Sequence, residues 1–143
     1  MLEPTVVTFF YGSYMNPRVL REVDLVPERM EVARLPGFDI EIGPLANLLP
    51  SDQHTVYGIL ATATHAELDR LYAHAREVLG GIYLPYPVSA YTESGRIELA
   101  LCYIAPRMKA APASADYVGR IVEPARNYGF PSWYIERLES FLP

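Results

Sequence analysis

Thirteen prolines punctuate a chain of 143 residues. Each fixes its own φ and removes one N–H from the backbone hydrogen-bond supply. The sequence therefore predicts many short elements joined by defined turns. Eleven tyrosines are the second excess. Tyrosines line polar pockets or stand at core and rim, and composition leaves both open.

Thr5–Phe10 is β-branched and aromatic and reads as a strand. It stops at Tyr11-Gly12-Ser13. Asn16-Pro17 then pairs a helix cap with proline at the first helical position, opening a helix over Pro17–Val23. The first unit is thus strand, glycine loop, helix. Met30–Leu35 and Phe38–Ile42 flank Pro36-Gly37 and read as two strands joined by a turn. Leu45–Leu49 is an apolar run ended by the polar loop Pro50-Ser51-Asp52-Gln53. Thr55–Thr62 reads as a strand. Thr64, with Glu67 three residues on, has capping-box spacing. Leu68, Leu71, Tyr72 and Ala75 follow on one helical face. Gly80-Gly81 breaks it. Ile82–Tyr91 is strand-like, with Pro85 and Pro87 confined to an edge, bend or bulge. A turn at Thr92–Gly95 leads to a return strand, Arg96–Ile104. After the loop Ala105–Ala113, Ser114 can cap a helix over Ala115–Tyr128, which Pro124 would kink or break and Gly129 ends. A last helix is expected from about Ser132 to Phe141, with Ser132 as its cap.

This length suits one domain over residues 1–143. The pattern predicts an α+β fold: a mixed sheet closing into a small barrel, with helices packed around it. No apolar run approaches the ~20 residues of a membrane span. Met1-Leu2-Glu3-Pro4 lacks the basic region of a secretion signal. Twelve basic residues against seventeen acidic ones, with Lys109 the only lysine, argue against nucleic acid as a partner. The single cysteine, Cys102, has no intrachain partner and lies in an apolar run, so a buried thiol and a reducing, cytoplasmic setting are expected.

Candidate chemistry is sparse. His54, His65 and His74 have no i, i+4 pairing, and a structural zinc site needs four ligands, so no metal is expected. Ser13 is not embedded in Gly-x-Ser-x-Gly. Gly80-Gly81 has neither phosphate-loop spacing nor a following Lys-Ser/Thr. What remains is Tyr11-Gly12-Ser13-Tyr14-Met15-Asn16, between strand and helix. Its glycine lets a ligand approach the backbone, and N–H groups ahead of a helix can hold a carboxylate. An ordinary strand-to-helix turn is the other reading.

The chain resembles the γ-glutamylcyclotransferase superfamily, its AIG2-like group included. That family opens with a strand followed by Tyr-Gly-Ser-Asn-Leu/Met, and Tyr11-Gly12-Ser13-Tyr14-Met15 stands in the same place. Ala33–Phe38 is similar to its next strand and turn. Val56-Tyr57-Gly58-Ile59-Leu60 resembles its Val-Trp/Tyr-Gly-Val strand, Gly81-Ile82-Tyr83 its Gly-x-Tyr, and Cys102-Tyr103-Ile104 its later tyrosine strand. Asp116-Tyr117, Ala125–Pro131, Tyr134 and Leu138 follow its Tyr…Ala-x-x-x-Gly-Leu-Pro-x-x-Tyr…Leu. The likeness covers nearly the whole chain in order.

The resemblance implies a cofactor-free, intramolecular reaction. A substrate α-amine attacks its own γ-carbonyl, closes a lactam, and releases 5-oxoproline and an amine. The implied partner is a small molecule with a γ-glutamyl or similar amino-acid group. Tyr11, Gly12, Ser13, Tyr14 and Met15 would form the ligand loop, and Tyr83, Tyr103 and Tyr117 would line the pocket. A glutamate would move the proton. Two departures stand out. Tyr14 replaces the family's asparagine. The glutamate's place falls on Ala75 when counted forward from Leu71, and on Arg76 when counted back from Tyr83. Glu77, nearby, is the candidate base if the loop is displaced by one or two residues; otherwise it is a solvated surface charge. Further readings are a non-catalytic small-molecule-binding protein of the same fold, a related acyl-amine-processing enzyme with a changed pocket, and an interaction module. A homodimer is left open.

Overall fold

A computed structural model describes residues 3–143. Met1 and Leu2, part of the N-terminal segment considered above, lie outside the described residues. Among the described residues, five strands form a closed barrel: β1 (Thr5–Phe10), β2 (Met30–Ile42), β3 (Ala46–Thr64), β4 (Leu84–Thr92) and β5 (Ile97–Ile104). The order around the barrel is β1-β3-β2-β4-β5. Neighbours run antiparallel except where β5 meets β1, and that parallel seam pairs Thr8 with Leu101 and Phe9 with Cys102. Helices α1 (Pro17–Arg21), α2 (His65–His74), α3 (Ala115–Asn127) and α4 (Ser132–Glu139) flank it. This is the expected α+β architecture. Among the described residues, no helix is long and apolar enough to cross a membrane.

Pro36-Gly37 does not separate two strands. β2 is continuous, and the register jumps between Pro36↔Thr55 and Phe38↔Pro50. Ser51–His54 therefore stand opposite Gly37 alone, and the expected polar loop is a bulge within β3. Gly37 has φ +92°, which glycine tolerates best. Bulges bend a strand, and here the bend is large. A straight strand would carry Ala46 roughly 40 Å beyond Ile59. Yet a Cβ on Gly12 would lie 2.9 Å from the Ala46 Cβ, although Gly12 follows only two residues after Phe10, the partner of Ile59. The tip of the β2–β3 hairpin is folded back over the end of β1. Asn47 fastens it there: its side chain donates to the Ala105 carbonyl at 2.8 Å and accepts from the Ala105 N–H at 2.9 Å.

The helix caps follow the sequence chemistry. Thr64 and Glu67 make the reciprocal capping box, at 3.1 and 2.8 Å. Ser114 accepts from the Tyr117 N–H and Asn16 from the Arg18 N–H. At α4 the cap position is Pro131, without a side-chain bond, and Ser132 is already helical. Pro124 does not end α3. Having no N–H, it leaves the Arg120 carbonyl without its helical donor. The Asn16 side-chain amide supplies one at 3.2 Å. That bond ties α3 to the short 3₁₀ turn Ser13–Met15 and the start of α1.

Candidate functional site

The candidate site forms where β1 and β5 end, under the folded-back hairpin tip. A cavity of about 30 Å³ is lined by Phe10, Tyr11, Gly12, Ser13, Tyr14, Ala46, Tyr72, Ala75, Leu79, Tyr83, Tyr103 and Tyr117. The strand-to-helix loop thus faces a cavity. Of the loop residues, Met15 is fully buried in the core and does not line it. Tyr83, Tyr103 and Tyr117 come to the same cavity as Tyr11–Tyr14.

The tyrosine hydroxyls are anchored mainly on backbone. Tyr11 donates to the Tyr103 carbonyl at 2.6 Å. Tyr83 donates to the Ala46 carbonyl at 2.5 Å, while the Ala46 N–H donates to the Tyr117 hydroxyl at 2.9 Å. The two side chains clamp both polar groups of one residue at the hairpin tip. The Tyr14 hydroxyl lies 3.1 Å from the Leu71 carbonyl and 3.1 Å from His74 Nδ1. Tyr72 stacks on Tyr103, with ring centroids 3.7 Å apart. Burial, reinforced by the neighbouring tyrosines, pushes the hydroxyls of Tyr11, Tyr14, Tyr72 and Tyr83 well above the ordinary phenol value. They stay protonated near neutral pH.

The loop backbone is less fully engaged. Met15 N–H bonds to the Gly12 carbonyl at 3.1 Å and Asn16 N–H to the Ser13 carbonyl at 3.0 Å. The N–H groups of Gly12, Ser13 and Tyr14 make no hydrogen bond among the described residues. Ser13 and Tyr14 are buried, and Gly12 is half-buried.

Glu77 lies elsewhere. After His74 the helix widens into a π turn, Ala75–Leu79, closed by Gly80 at φ +86°. Ala75 and Leu79 face the cavity, while Arg76, Glu77 and Val78 are exposed. The Glu77 carboxylate is 71% exposed and 3.7 Å from the Arg76 guanidinium. Ala75, the position reached by the ungapped count from Leu71, lines the cavity, whereas Arg76, reached by the count back from Tyr83, is exposed. Among the described residues, no Asp, Glu, His, Lys or Arg lines the cavity. Among the described residues, no three His, Cys, Asp or Glu side chains are grouped to hold a metal.

Sequence reasoning missed Phe10, Ala46, Tyr72, Ala75 and Leu79 as lining residues. Tyr72 was visible only as part of an apolar helix face, and Ala75 as part of that face and as the position reached by the count from Leu71. Ala46 reaches the site through the bent hairpin, which no local signal announces.

No family model matches the chain, and no curated protein matches its sequence. Solved structures do match. One described as a gamma-glutamyl cyclotransferase superposes with a TM-score of 0.84 at 23% identity, covering 96% of this chain and 88% of the other. An uncharacterized human protein matches with a TM-score of 0.83, again at 23% identity, with the same 96% and 88% coverage. A yeast gamma glutamyl cyclotransferase specific to glutathione matches at 0.66 and 14% identity, covering 96% and 95%. The likeness read from the ordered motifs therefore holds at the level of architecture: this chain has the γ-glutamyl cyclotransferase fold.

Proposed function

We propose that this protein binds a small molecule through an acyl or carboxylate oxygen, on the backbone N–H groups of Gly12, Ser13 and Tyr14. The observation that carries this reading is that these three consecutive donors lack a protein partner beside a cavity. Buried N–H groups are nearly always paired, and a ligand oxygen or water is the partner this position accepts. The tyrosine hydroxyls add neutral donors and acceptors. Neither position reached by counting for the family's glutamate, Ala75 or Arg76, is a carboxylate, and among the described residues no carboxylate lines the cavity to take a proton from an ammonium group. Binding therefore outranks catalysis. A reducing, cytoplasmic setting belongs to the same reading, on the strength of one unpaired, buried cysteine.

A second reading keeps the cyclotransferase reaction. It is favoured by one observation: Glu77 shares its turn with Ala75 and Leu79, which already line the cavity. A shift of this turn about Gly80 would bring the carboxylate inward. The two readings separate on one experiment. Thermal shift is measured with small carboxylates, and 5-oxoproline release with a panel of γ-glutamyl amines. We expect ligand-induced stabilisation and no 5-oxoproline. Release that falls by ~10²-fold or more in Glu77→Gln, the scale of a general base, would establish the second reading instead. Absence of any ligand response would remove the first.

A further inference from the structure

Building on the assignment of the Gly12–Tyr14 loop as a ligand site, the cavity's size points to a specific role for Tyr14. Small-molecule sites usually span about 300–1,000 Å³. This cavity is about 30 Å³, space for about two water-sized groups. Two larger clefts adjoin it. One, of about 490 Å³, shares Tyr72, Tyr83 and Tyr103 with the cavity. The other, of about 500 Å³, shares Ser13, Leu79 and Tyr117. Space for the body of a ligand is present on both sides, and the restriction is at the donors themselves.

Tyr14 belongs to both the donor loop and the cavity wall, and it is held firmly. Its ring meets Tyr72 edge-on at 5.6 Å and Phe10 at 6.2 Å. Its hydroxyl is latched to the last turn of α2 through the Leu71 carbonyl and His74 Nδ1. His74 itself lines the second cleft, not the cavity. The ring therefore cannot swing aside without giving up two hydrogen bonds and two aromatic contacts.

We propose that Tyr14, latched by His74, is the specificity-determining residue of this cavity. It admits an acyl head of about formyl or acetyl size and excludes a five-membered lactam or a folded γ-glutamyl chain. The remainder of such a ligand lies in a flanking cleft.

The test is NMR shift titration of the wild type, Tyr14→Asn, Tyr14→Phe and His74→Leu with two probes, acetate and 5-oxoproline. The quantity read is the ratio of the two affinities. Wild type should favour acetate. Tyr14→Asn, which removes the ring, should shift the ratio towards 5-oxoproline by about tenfold or more, the scale of relieved overpacking. Tyr14→Phe keeps the ring and releases both latch bonds, His74→Leu releases one of them, and both should shift the ratio in the same direction by a smaller factor. A purely structural role would weaken both probes together and leave the ratio alone. Should Tyr14→Asn fail to fold, the two latch variants decide the matter. Acetate binding with an unchanged ratio in every folded variant overturns the role of Tyr14 and leaves the loop site standing. Acetate binding to none of them overturns both.

Discussion

Replacing Asn16 tests how the site loop is fixed to the rest of the molecule. Asn16 is 2% exposed and its side chain has two tasks. Its oxygen caps α1 at the Arg18 N–H, and its amide supplies the Arg120 carbonyl that Pro124 leaves free. Losing a helix cap costs about 1 kcal/mol. Leaving this part-buried carbonyl without a donor costs about 1–2 kcal/mol more. Asn16→Ala should therefore destabilise by about 2–3 kcal/mol, measured by urea unfolding followed by circular dichroism. The thermal midpoint should fall by roughly 6–12 °C for a chain of this size. The discriminating experiment is the same substitution in a Pro124→Ala background. Alanine restores the helical N–H to Arg120, so only the cap is then lost and the cost drops to about 1 kcal/mol. The cycle should show a coupling of about 1–2 kcal/mol. Equal costs in the two backgrounds would refute the reasoning that Pro124 and Asn16 are complementary.

Four further outcomes follow from the geometry. Gly58→Ala should destabilise by about 3 kcal/mol or more, because its Cβ would lie 2.3 Å from the Phe10 carbonyl oxygen and 2.6 Å from Phe9 Cζ. Gly119→Ala, with open space and an exposed helical position, should stabilise by about 0.5–1 kcal/mol; urea midpoints with the same sign for both would contradict this. Burial pushes the Cys102 thiol up to about 12, so iodoacetamide at pH 8 should label it only as fast as the protein unfolds, and rapid labelling of the native protein would count against the buried seam. The Arg29 guanidinium, with help from Arg96, holds the Glu98 carboxyl down at about 2. Because the folded value is depressed, this stabilisation is complete above the ordinary value of 4.5 and is lost as pH falls towards 2. Glu98→Gln should flatten the pH dependence of stability in that window, and parallel curves for the two proteins would refute the assignment.

Local chemistry carried the sequence reading where one segment contains its own reason. Thr64 with Glu67, Asn16 with Pro17, and Ser114 all cap the helices expected of them, since a cap needs only its own turn. The reading failed where two distant segments share one reason. Gly37 needs a positive φ whether it sits in a turn or opposite a bulge, so Pro36-Gly37 alone cannot separate the two. The register against Ser51–His54 decides it. Pro124 leaves a kink and a break both open because its missing N–H is local, whereas the donor that replaces it comes from Asn16, far away in the sequence. The π turn at Ala75–Leu79 has no spacing signature, and that turn determines which residue of the segment faces the cavity. The loop itself was visible as strand, glycine and helix. Its closure was not: Ala46 meets it only once the hairpin has folded back, and Tyr72 and Leu79 meet it only once α2 and its π turn pack beside it.

The most direct test of the ligand loop is an amide-resolved NMR titration of uniformly ¹⁵N-labelled protein with acetate. Saturable shifts centred on the Gly12, Ser13 and Tyr14 amides, with smaller ones at Ala46, are the predicted result. Shifts that never saturate, or that scatter over the surface while these three amides stay fixed, would contradict the account.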